Sequence, residues 1–105
     1  MVRVALSVLA LAVGAALVLA AEIVMVSQRD RRFNPNEIKV AAGTVIRVMN
    51  DDRVTHHLYV DSPTMRFDSG EQPVGKSVDL VFDRSGTFTV RCAIHPTMKL
   101  DVTVE

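Results

Sequence analysis

Ser77-Val78-Asp79-Leu80-Val81-Phe82-Asp83-Arg84-Ser85-Gly86-Thr87-Phe88-Thr89-Val90-Arg91-Cys92 reads as two strands about a turn. Val78, Leu80 and Phe82 alternate with Ser77, Asp79 and Val81, and Phe88 and Val90 alternate with Thr87, Thr89 and Arg91. Side chains two apart share a face of a strand, so each half offers one apolar row to a core. Asp83-Arg84-Ser85-Gly86 suits a hairpin between the halves. The same phase puts Cys92 on the face of Phe88 and Val90, so the cysteine enters the core at the end of its strand.

The alternation continues outward in both directions. Leu100, Val102 and Val104 alternate with Asp101, Thr103 and Glu105. Upstream, Ile23, Val24 and Val26 belong to a first strand, Gln28–Arg32 to a polar loop, and Asn34-Pro35-Asn36 to a turn. Ile38 with Val40, and Ile46 with Val48, mark two half-buried strands separated by Gly43. Asn50-Asp51-Asp52 is another turn, His57–Val60 reads as strand, and Pro63–Gly75 reads as irregular. No helix of ordinary length fits after residue 21. Short strands with frequent turns predict an all-β domain, a sandwich or barrel, over residues 22–105.

Residues 1–21 differ from the rest. Arg3 supplies one positive charge, and Val4–Ala21 is apolar apart from Ser7 and Gly14. Small or medium residues at Val18-Leu19-Ala20 suit cleavage after Ala20 or Ala21, so the segment is expected to be a secretory signal and the protein periplasmic or otherwise exported. The alternative is an uncleaved membrane anchor, because 18 apolar residues lie at the lower limit for a span. The 105-residue chain has 12 basic and 12 acidic side chains, which excludes the basic footprint of a nucleic-acid binder. Arg29, Arg31 and Arg32 form a short basic cluster that reads as a solvated loop.

Cys92 is the only cysteine, so it forms no internal disulfide. In an exported chain such a thiol is a liability unless buried, paired with another chain or bound to metal. His95 and Met98 follow it at intervals of three, in Cys92-Ala93-Ile94-His95-Pro96-Thr97-Met98. A tight loop there folds three donors around one point. A thiolate, imidazoles and a weak thioether suit copper that cycles between two oxidation states, whereas methionine is out of place on structural zinc. The further histidine is His56 or His57. His56 shares a face with Leu58 and Val60, and His57 with Tyr59, so an inward aliphatic pair selects His56 and an inward Tyr59 selects His57. Met25, Met49 and Met65 have no such companions. No glycine-rich phosphate loop or Ser-His-Asp set is present, and a Cys92–His95 nucleophile pair would leave Met98 without a role.

These residues resemble the cupredoxins, the small blue copper proteins, over about residues 33–104. Phe33-x-Pro35-x-x-Ile38-x-Val40-x-x-Gly43 resembles their early strands, Asn50 followed by His56 the segment of their first ligand, and Phe82–Phe88 the hairpin before their cysteine. Cys92–Met98 is similar to the compact ligand loop of amicyanin. The resemblance implies a Greek-key β-sandwich holding one mononuclear type 1 copper at His56, Cys92, His95 and Met98. It implies a non-enzymatic, monomeric single-electron carrier that docks on a redox partner such as a c-type cytochrome or a dehydrogenase. Copper trafficking or storage is the alternative. Plastocyanin and amicyanin usually carry asparagine directly after the first histidine, where this chain has His57. The backbone N–H at that position is expected to donate to the cysteine sulfur.

Overall fold

The computed structural model describes Ala5 and residues 21–105. The expected signal or anchor therefore lies almost wholly outside the described residues. Among those described, no helix is long and apolar enough to cross a membrane.

Nine strands follow in order: β1 (Ile23–Arg29), β2 (Arg32–Asn34), β3 (Glu37–Val40), β4 (Val45–Asn50), β5 (Leu58–Asp61), β6 (Arg66–Asp68), β7 (Ser77–Val81), β8 (Gly86–Cys92) and β9 (Lys99–Val104). They form two sheets, one ordered β2-β1-β4-β7 and the other β3-β9-β8-β5-β6. Pairing is antiparallel except for β1 with β4 and β3 with β9, which are parallel. The chain passes between sheets at five connections, giving the Greek-key sandwich. Val26, Ile46, Val48 and Leu80 of the first sheet are buried, as are Leu58, Val60, Phe88, Val90, Leu100, Val102 and Val104 of the second. Each such side chain contributes roughly 1.5–3 kcal/mol by leaving water. Phe82, just past β7, meets Phe88 with ring centroids 4.7 Å apart.

Four local expectations change. The Gln28–Arg32 loop is instead a tight hairpin: Gln28 and Arg29 end β1, Arg32 opens β2, and only Asp30 and Arg31 turn. Both have positive φ, 53° and 55°, the paired left-handed geometry whose twist matches a two-residue hairpin. Asp83–Gly86 is a turn but not a hairpin, because β7 and β8 lie in opposite sheets and the turn carries the chain across the sandwich. Within Pro63–Gly75, Arg66–Asp68 forms the edge strand β6 against β5. His57 precedes β5 rather than opening it.

Candidate metal centre

Strand phase delivers Cys92 to one end of the sandwich. Phe88, Val90 and Cys92 are all buried along β8, while Thr89 and Arg91 face out and are half-buried. Leu58 stands opposite Cys92 on β5. The same inner face carries Val60, Leu58 and, two residues earlier, the fully buried His56. His56 is held by a two-way backbone exchange with Gln72: its N–H donates to the Gln72 carbonyl at 3.0 Å and its carbonyl accepts the Gln72 N–H at 2.6 Å. His57 points the other way, half-buried, with its ring bonded to the Asp68 carboxylate. Its backbone N–H lies 3.4 Å from Cys92 Sγ, donating to the sulfur.

The loop between β8 and β9 brings the remaining residues back. The Ala93 N–H donates to the His57 carbonyl at 2.8 Å, and the Met98 N–H donates to the His95 carbonyl at 3.0 Å. Met98 is buried, His95 is half-buried, and Ile94 beside it is 48% exposed.

Cys92 Sγ lies 3.6 Å from His56 Nδ1 and 3.7 Å from His95 Nδ1. The three donors all fall within 4.8 Å of one another, and the two rings meet edge to face with centroids 5.1 Å apart. Sulfur and nitrogen bonded in a trigonal plane at roughly 2.3 and 2.0 Å would be about 3.7 Å apart. The spacing is therefore that of donors around a single ion. Two imidazoles, a thiolate and a buried thioether at the end of the same loop fit one type 1 copper ion.

Electrostatics around the centre are set by neighbouring charges. Burial pushes the His95 ring below the ordinary histidine range, with His56 and Arg31 adding to the shift and Asp52 opposing it. Burial raises the Asp52 carboxyl, but the Arg31 and Arg53 N–H groups and the His56 ring outweigh it and bring it down to about 2. Asp68 is lowered by the Gly70 N–H and by the His57 ring.

A model of the cupredoxin-like domain matches residues 2–104. The chain belongs to the cupredoxins. No curated protein matches the sequence significantly. Solved structures of similar fold include a reduced mutant of amicyanin, at 20% identity and a TM-score of 0.74, covering 83% of this chain and 86% of that one. A purple cupredoxin from Nitrosopumilus maritimus is similar at 22% identity and a TM-score of 0.69, covering 77% and 98%. A Cu-containing nitrite reductase from Thermus scotoductus SA-01 is similar at 22% identity and a TM-score of 0.74; 83% of this cupredoxin matches 23% of that chain.

Several residues around the centre have no signal in local patterning. Asn50 donates through Nδ2 to the Val54 and Gln72 carbonyls and accepts the Asp52 N–H, bracing the segment before His56. Gln72 donates through Nε2 to the Val48 and Lys76 carbonyls and accepts from Gln28 Nε2 at 2.6 Å. Both glutamines are buried, although their type and local context mark them as surface residues. The usable hint was the Asn50 spacing; Asp52 and the glutamines become visible only with the tertiary contacts.

Proposed function

We propose that this cupredoxin is a single-electron carrier that holds one copper ion between His56, Cys92 and His95, with Met98 as the weak axial ligand. The observation that carries the reading is the 3.6 and 3.7 Å spacing of the two imidazole Nδ1 atoms from Cys92 Sγ. Copper bound there supplies a one-electron couple and an intense thiolate-to-Cu(II) absorption. The protein's part is to keep the donors still. Cys92 is fixed by β8, His56 by its backbone exchange with Gln72, and His95 by the Met98 turn. Donors already in place need little rearrangement when the charge at the centre changes. Buried His56, Cys92 and Met98 keep water from that side.

Four protein donors leave no open position for a substrate, which supports a carrier rather than an enzyme. The half-buried His95, beside exposed Ala93, Ile94 and Pro96, offers an apolar approach for a redox partner such as a c-type cytochrome or a dehydrogenase. Residues 1–21, as a cleaved signal, would place a monomeric carrier in an exported compartment.

The test is the visible spectrum of copper-loaded wild type, His56→Ala and His57→Ala. An intense blue band that survives His57→Ala and is lost in His56→Ala is the expected result. Loss with His57→Ala alone overturns the ligand set, and a colourless protein that takes up only Cu(I) favours trafficking or storage.

A further inference from the structure

Asp52 stands four residues before His56 with its side chain only 8% exposed. Its Oδ2 lies 2.9 Å from His56 Nε2 and accepts the Arg31 N–H at 2.9 Å, while Oδ1 accepts the Arg53 N–H at 2.8 Å. Arg31 reaches it from the tip of the β1–β2 hairpin, so two separate segments meet on this carboxylate.

An ionised carboxylate only accepts hydrogen bonds. The proton shared with His56 therefore belongs to Nε2, and in the neutral ring Nδ1 is left with a bare lone pair. That is the nitrogen facing Cys92 Sγ. We infer that Asp52 is a positioning residue of the metal centre: it holds His56 in the Nε2–H form with Nδ1 aimed at the ion, and its negative charge favours Cu(II) over Cu(I). This rests on the reading of His56 as a copper ligand. A mere bracing role is already filled, because Asn50 ties down the same segment through three bonds of its own. The Asp52 carboxylate is spent on the hairpin, on the next N–H in the chain and on the imidazole.

The experiment compares wild type with Asp52→Asn, which keeps the shape and an acceptor oxygen and removes the charge. Affinities for Cu(II) and Cu(I) are measured by competition, and the reduction potential by voltammetry on the copper-loaded full chain. Asp52→Asn is expected to keep the blue band, to lose about tenfold in Cu(II) affinity and less in Cu(I) affinity, and so to shift to a higher potential. Equal losses for both oxidation states, or no change in either, overturn the inference. Should the variant not fold, ¹⁵N NMR of the metal-free wild type decides: the His56 ring proton on Nε2 supports the inference and a proton on Nδ1 overturns it. The His56→Ala spectrum separates the two readings. A retained blue band brings down the ligand assignment and the Asp52 role together. A lost band with no shift in Asp52→Asn removes the Asp52 role alone.

Discussion

His56 and His57 are neighbours in the chain and reach opposite sides of the second sheet, one fully buried and the other bonded at the surface to Asp68. Period-two alternation puts His56 with Leu58 and Val60, and all three are buried. The polar side chains behind them follow a different rule. Gln72 is buried because its partners come from distant segments: Gln28 is 44 residues away and Val48 is 24 away. Replacing Gln72 with Leu removes three side-chain hydrogen bonds and leaves the Val48 and Lys76 carbonyls and Gln28 Nε2 short of partners. A loss of about 2–4 kcal/mol is expected, read as a lower urea midpoint with an unchanged slope. Neither Gln28, Gln72 nor Asp52 could be recognised from its neighbours in sequence, because what buries each one is a partner that only the fold supplies.

Among the elements, alternation located the strands but not their sheets. Val78-Leu80-Phe82 and Phe88-Val90-Cys92 are both inward rows, as their pattern implies. An inward row looks the same whether the next strand pairs beside it or packs across from it, so the Asp83–Gly86 turn was open to being mistaken for a hairpin. The β1–β2 connection shows the reverse case. Its turn residues are Asp30 and Arg31 rather than Asn-Gly, so the strongest hairpin signal is missing and the stretch reads as a loop. A left-handed residue with a Cβ costs about 1–2 kcal/mol, of which the extra chain entropy of glycine returns roughly 0.5–1. Arg31→Gly is therefore expected to stabilise the protein by about 0.5–1 kcal/mol in urea unfolding. Its N–H remains available to Asp52, so the blue band should be unmoved.

For the whole molecule, the centre joins residues that the chain keeps far apart: His56 before β5, and Cys92, His95 and Met98 around the β8–β9 loop. An ion that binds only the folded arrangement stabilises it by mass action, about 2.7 kcal/mol at a free concentration one hundred times Kd. For a domain of this size that corresponds to a rise in Tm of roughly 10–20 °C. Copper titration followed by thermal unfolding should show this rise in wild type and little of it in Cys92→Ser. The class of fold and the Cys92–Met98 cluster were readable because both follow from local spacing. The closing of the sheets was not, because β9 pairs with β3 on one side and β8 on the other.

That placement of β9 has a consequence for the order of events during synthesis. Chains are made amino end first, and Glu37–Val40 has no neighbour in its sheet until Lys99–Val104 exists. The second sheet therefore cannot be completed until β9 has emerged, although β8, β5 and β6 can pair before it, and such distant pairings are slow to form. A chain halted short of Lys99 would present its cysteine, its histidines and an open strand edge without a finished sandwich around them.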